Sequence, residues 1–181
     1  MKAKLPSLKI VVSAVFLFYT PFSWSQSCNN AIPESTPSSD FSVHTDGTVT
    51  QNKTGLMWKV CSEGQAWKAD GVCDGEVVSM NKKKIEETIQ SLNTSGGFAN
   101  HADWRLPTRE ELNALVELKC DLPSINQAIF NSTALSSYRT STVGGDHHQL
   151  SWGVYFHFGF EALNYGGNHD HVRLVRDVEK S

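Results

Sequence analysis

Apolar residues follow two periods along the chain, and the change from one to the other separates helical from extended segments. After Asn81, the residues Ile85, Ile89 and Leu92 fall at i, i+4 and i+7 among lysines and glutamates. That spacing predicts an amphipathic helix capped by Asn81 and ended by Gly96-Gly97. Thr108 with Glu111 forms a capping box, each side chain satisfying an amide that the first helical turn leaves unpaired. It opens a second helix with Leu112, Leu115 and Val116 as its apolar stripe, so Glu110 and Glu111 read first as first-turn helix acids. From residue 150 to 158 the period becomes two: Trp152, Val154, Phe156 and Phe158 alternate with Gly153, Tyr155 and His157. This predicts a half-buried strand. A closing strand over residues 171–178 follows the turn Gly166-Gly167-Asn168, with Val172 and Leu174 inward. Upstream, residues 48–50 and 56–60 flank a five-residue connection containing Gly55, a hairpin pattern that points Trp58 into the core. The sum is an α+β domain: two helices packed on a small, mostly antiparallel sheet with long loops.

The ends of the chain and its charge set the compartment. Lys2, Lys4 and Lys9 precede an apolar run, residues 10–22, too short for a membrane span, and Ser23 and Ser25 supply small residues for cleavage. Residues 1–25 therefore read as a signal peptide, with an uncleaved N-terminal anchor as the alternative, and no second spanning run follows. Residues 26–40, rich in Ser, Pro and Asn, read as an extended leader, and residues 41–178 as the domain. Of 181 residues 39% are hydrophobic and 19% charged, as in a globular protein. Removing three lysines and no acid leaves 13 basic and 19 acidic residues, a net charge of −6. Such a chain is not built to hold nucleic acid, which needs clustered Lys and Arg. All four cysteines, Cys28, Cys61, Cys73 and Cys120, lie in the exported part, where an even count reads as disulfides. Three pairings are possible. The pliable segment with Gly64, Asp70 and Gly71 favours Cys61 with Cys73, which leaves Cys28 to tie the leader to Cys120. The alternative, a four-cysteine zinc site, lacks any Cys-x-x-Cys pair.

Four segments together resemble a known family: Gly47-Thr48-Val49-Thr50 leading to Thr54-Gly55-Leu56-Met57-Trp58; Cys61, Gly64 and Cys73; Asp103-Trp104-Arg105-Leu106-Pro107-Thr108 with Glu111-Leu112; and Val172-Arg173-Leu174-Val175-Arg176. In order and spacing they are similar to the bacterial domain named after the C-terminal domain of the Legionella collagen-like adhesin, the Lcl C-terminal domain family. The stretch from Trp104 to Thr108 also resembles segments of formylglycine-generating enzymes and C-type lectins. The resemblance implies a C-type-lectin-like architecture and attachment to a polysaccharide. It gives Trp58, Trp104, Arg105, Pro107, Thr108 and Glu111 structural roles. Family members usually carry an aromatic residue after the Tyr beyond the second helix, whereas here Tyr138 is followed by Arg139.

The expected function is an exported, non-catalytic binding module for a glycan or an envelope protein, in the periplasm, at the cell surface or secreted. An accessory subunit of an envelope assembly is one alternative. A metal- or cysteine-dependent enzyme related to formylglycine-generating enzymes is the other. No Gly-x-Ser-x-Gly or His-Glu-x-x-His motif is present. No cofactor is required, although Asp146, Asn164, Asn168 and Asp170 lie in loops of a kind that can hold calcium. Four histidines, His147, His148, His169 and His171, cluster in two short stretches, and His169 with His171 would share a face of an extended segment. Alternation also places Tyr155, His157, His171 and Arg173 on the outer face of the last hairpin, where they would form a ligand-binding patch; a plain solvated sheet face is the alternative.

Overall fold

The computed structural model describes residues 25–145 and 147–178. Residues 1–24, on which the expected signal peptide falls, and Asp146 lie outside the described residues, as do the side chains of His147 and His148. The fold is α+β, with antiparallel sheets, two helices and two disulfides. Two sheets rather than one form its body. The first contains β2 (Phe41–Val43), β3 (Thr48–Gln51), β4 (Leu56–Lys59) and, last in the chain, β11 (Val175–Asp177), in the order β11-β4-β3-β2. Here β3 and β4 form the expected hairpin, with Val49 opposite Trp58 and both fully buried. The second sheet contains β8 (Ser137–Gly144), β9 (His147–Tyr155) and β10 (Phe160–Tyr165), with β9 in the middle. Two small two-stranded sheets sit beside cysteines. One pairs β1 (Ser27–Cys28) with β7 (Cys120–Asp121), and the other pairs β5 (Ala66–Trp67) with β6 (Cys73–Asp74).

The helices follow the local rules closely. Asn81 caps α1 (Lys82–Thr94) by accepting from the Lys84 amide at 2.9 Å. Ile85 is buried with Met80, Trp104, Val172 and Leu174, and Ile89 and Leu92 pack at the edge of the same cluster. Near the end of α1, the Asn93 side chain holds Trp104 by both its amide and its carbonyl. The capping box of α2 (Arg109–Asn113) is complete. This helix is only five residues long, so Leu115 and Val116 are buried beyond its end rather than along its face. The larger core gathers Trp58, Leu112, Leu115, Ile125, Phe130, Tyr138, Val154 and Phe156.

Cys28 bonds Cys120 and Cys61 bonds Cys73, the pairing that loop flexibility favoured. Residues 26–40 are docked on the domain. Glu117, itself buried, accepts from the amides and hydroxyls of Ser35 and Thr36. The Gln26 amide donates to the carbonyls of Pro123 and Ile125. Among the described residues no helix is long and apolar enough to cross a membrane.

The C-terminal part departs from the expected hairpin. The strand that begins at residue 147 ends at Tyr155, and a tight turn through Gly159 (φ +71°) returns the chain as β10, a strand that the sequence pattern does not reveal. A Cβ on Gly159 would sit 2.7 Å from Val116 Cγ1, so the turn needs glycine on two counts. Phe158 falls in this turn and is 56% exposed instead of lying in the core. After the turn at Gly166-Gly167-Asn168 the chain runs between the two sheets. His171 bonds Ser137 and Arg139 through its backbone, the carbonyls of Val172 and Leu174 accept from Glu63 and Lys59, and Val175 pairs with Arg105. A segment bonded on both sides has no outer face. Arg173, expected to project outward, is accordingly 1% exposed.

Candidate ligand-binding cleft

Cross-strand register decides which side chains share a face of the second sheet. Ser137 and Arg139 lie opposite Tyr155 and Gly153, and Gly153 and Ser151 lie opposite Ala162 and Asn164. Residues directly opposite point the same way. Ser137, Arg139, Ser151, Tyr155 and Asn164 therefore converge on one side, above Gly153.

There they build a buried polar network. The Arg139 guanidinium lies 2.5 Å from Asp170 Oδ2, with side chains 2% and 3% exposed. It also donates to Ser151 Oγ and, at 2.9 Å, to the Tyr165 carbonyl. Asn164 donates to Asp170 Oδ1 at 2.8 Å and to Ser137 Oγ at 2.7 Å, and it accepts from the Tyr155 hydroxyl at 2.9 Å. Two buried atoms of the network have no hydrogen-bond partner among the described residues, Arg139 Nε and Asp170 Oδ2, the latter meeting the guanidinium as an ion pair. Buried polar atoms left in this way are costly.

Arg139 and Ser151 line an enclosed cleft of about 240 Å³, whose other walls include Leu106, Ser141, Val143 and Leu150. Lys82, Glu86 and Gln149 border both this cleft and a more open trough of about 580 Å³, which ends at Tyr165 and Gly166-Gly167. The first turn of α1 forms one bank and the second sheet the other. Lys82 and Lys83 each lie 3.9 Å from the glutamate one helical turn on, Glu86 and Glu87. At the far end of the trough Tyr165 is 65% exposed. On the opposite face of the sheet Arg109 of α2 lies 3.7 Å over the Trp152 ring and pairs with Glu161, which closes that face.

The patch expected from alternation is only partly assembled. Tyr155 and His171 do lie on either side of Ser137. Yet the Tyr155 hydroxyl is engaged with Asn164 and its ring stacks on Phe160 at 4.7 Å. His157 stacks on Phe158 at 4.1 Å, in the turn. His171 is half-buried, its ring 5.5 Å from that of Tyr138. Arg173 donates to the carbonyls of Lys59 and Val60 and to the hydroxyls of Ser62 and Thr133, and packs over Phe130. Burial lowers its proton affinity, and no ligand can reach it.

The motif residues make packing and hydrogen-bond contacts within the domain. Trp58 and Trp104 are buried, and Trp104 Nε1 donates to the Phe98 carbonyl. Arg105 grips Glu111 with two bonds and also reaches Asp177. The Pro107 carbonyl accepts from Ser141, tying the motif to the cleft wall. The calcium candidates do not form a cage. Asn164 bonds Asp170, and the guanidinium beside Asp170 Oδ2 would repel a cation. Asn168 and His169 are exposed, and Asp146 is outside the described residues. Among the described residues no group of three or more His, Cys, Asp or Glu could hold a metal ion.

Arg139, Ser151 and Asp170 were not legible as a site. The one signal was a charged residue, Arg139, inside a strand made mostly of Ser, Tyr and Thr. No curated protein matches the chain. The model of the Lcl C-terminal domain matches residues 47–176, from the β3–β4 hairpin into β11, and so takes in the first sheet apart from β2, the whole second sheet, both helices and the cleft. With most of its length matched, the chain belongs to the Lcl C-terminal domain family.

Proposed function

We propose that this protein is an exported, non-catalytic binding module of adhesin type with a C-type-lectin-like fold, and that it engages a glycan at the bacterial envelope or surface through the cleft between α1 and the second sheet. The carrying observation is the cleft itself: an enclosed end walled by Leu106, Ser141, Val143, Gln149 and Leu150, continued by a trough that ends on the exposed Tyr165. Small, largely preformed concavities with a few fixed polar groups are the usual seats of small ligands. Aromatic faces suit the apolar side of a sugar ring. Two disulfides and an acidic mature chain fit an oxidising exterior and a ligand that is not a polyanion. Beneath the cleft Arg139 is locked to Asp170 and Tyr155 to Asn164, a closed network that braces the cleft floor rather than activates a nucleophile.

A glycan array probed with the unreduced mature protein, with and without calcium, tests this reading. Binding independent of calcium and weakened by Tyr165→Ala supports it. An array with no hits shifts the reading to a protein ligand, which the exposed Phe158 and Phe160 favour as a second possibility. A thiol count on the same sample tests the enzyme alternative: reactive free thiols would revive it.

A further inference from the structure

We infer that the free edge of β10 is a self-association surface, on which a second copy of this chain lays its own β10 antiparallel, so that two three-stranded sheets become one. This holds whichever ligand the cleft takes. Backbone directions come first. On the β8 side of the sheet, Ser137 and Arg139 turn their backbone groups to His171, so Tyr138 and the opposite Val154 join β8 to β9. Alternation then directs Gly153 and Tyr155 at β10, and the bond from the Gly166 amide to the Gln149 carbonyl continues the same set. Phe160, Ala162 and Asn164 therefore bond inward, while Glu161, Leu163 and Tyr165 point their N–H and C=O groups off the edge. The Tyr165 carbonyl is taken by the Asn168 amide and by Arg139. Among the described residues nothing bonds the backbone of Glu161 or Leu163 on that side, which leaves two donors and two acceptors open.

Sheet edges are usually guarded by free charge, proline or a bulge. β10 has none of these: its register against β9 is unbroken, it holds no proline, and its one charge, Glu161, is paired with Arg109. Phe160, Leu163 and Tyr165 are exposed along it instead. The opposite edge of the sheet is occupied, by His171 at residues 137–139 and by Pro107 at Ser141. The open groups then select the occupant, because the strand is complementary to itself. A two-fold axis at Ala162 sets Glu161 opposite Leu163 of the second copy and Leu163 opposite its Glu161, which satisfies every open donor and acceptor on both copies. The closest side-chain approach, across a non-hydrogen-bonded pair, falls on Ala162 against Ala162, the smallest side chain of the strand. Each Glu161 keeps its own Arg109 and lays its stem against Leu163 of the other copy. Tyr165 falls opposite Gly159, which has no side chain to cover it. The pairing is closed: it consumes both free β10 edges, and association stops at two copies.

Sedimentation velocity on the whole oxidised protein tests the inference. A strand pair is a small interface, so the expected result is a two-chain species at about 100 µM that returns to single chains on roughly 100-fold dilution. Leu163→Glu, at a position 46% exposed, sets carboxylates directly opposite each other across the edge. It should weaken the dimer about ten-fold or more with an unchanged melting temperature. Ala162→Cys should cross-link two copies through residue 162, since non-hydrogen-bonded partners have Cα atoms about 4.5 Å apart, within disulfide reach. Peptide mapping should show that link beside intact Cys28–Cys120 and Cys61–Cys73 bridges. A chain that stays single at about 1 mM overturns the inference and leaves the edge to an extended segment of another protein. A dimer undiminished in folded Leu163→Glu overturns it too, as does one whose Ala162→Cys copies fail to cross-link. If Leu163→Glu does not fold, the wild-type mass and the Ala162→Cys link decide.

Discussion

Gly153 shows how closely the cleft depends on single atoms. A Cβ there would lie 2.6 Å from Ser137 Oγ and 2.7 Å from Asn164 Nδ2, inside the polar network. Gly153→Ala should cost about 1–3 kcal/mol as an overpacking change, seen as a lower melting temperature together with loss of binding. Asp170→Asn removes the countercharge of a buried guanidinium, and breaking such a pair costs about 3–5 kcal/mol. Urea titration checks that, and a loss below 1 kcal/mol would mean that water or another acid reaches Arg139. Glu111 sets an acid limit. The hydrogen bond from Arg105, helped by the Thr108 amide and opposed by burial, holds its carboxyl below the usual range. A carboxyl lowered in the folded state stabilises fully above its unfolded pKa of about 4.3, and that contribution fades as pH falls through the lowered folded value. Melting curves from pH 7 down to 2 should therefore drop more steeply below about pH 4 for wild type than for Glu111→Gln.

At the scale of elements, local rules and tertiary contacts divide the work unevenly. The start of α2 is fixed by its capping box, and Thr108→Ala should cost about 1 kcal/mol. Five residues cannot hold a helix alone, so the burial of Leu112 keeps it in place. Leu112→Ala should cost about 2–5 kcal/mol in denaturant titration, whatever its effect on binding. The β3–β4 hairpin and α1 were readable because their periodicity is local and each has one buried side. β10 was not, because it is an edge strand with large apolar residues exposed at Phe160, Leu163 and Tyr165, and its burial follows no two-residue period.

Over the whole molecule, the disulfides close loops of very different length. Cys61 and Cys73 are 12 residues apart, and Cys28 and Cys120 are 92 apart. On chain-entropy grounds the short bridge contributes about 3 kcal/mol and the long one about 4–5. Paired Cys→Ser variants compared by thermal melting should rank in that order. The long bridge also works with Glu117 in holding residues 26–40, so its removal should speed hydrogen exchange in that segment before the rest of the domain.

The sequence by itself determined the α+β class, the two helix caps, the β3–β4 hairpin, the buried tryptophans and the family, since each rests on residues close together in the chain. Its cysteine spacing favoured the observed pairing without excluding the others. Only the tertiary structure decided which residues share a face in the C-terminal part. Arg173 reads as an outward charge on a two-residue period, but the segment that carries it is hydrogen-bonded between two sheets and loses its solvent side. Arg139 and Asp170, 31 positions apart in the sequence, become a buried pair only when β9 and β10 bring Ser151 and Asn164 around them. The cleft lies between the start of α1 and the second sheet, segments distant in the chain whose juxtaposition no local period encodes.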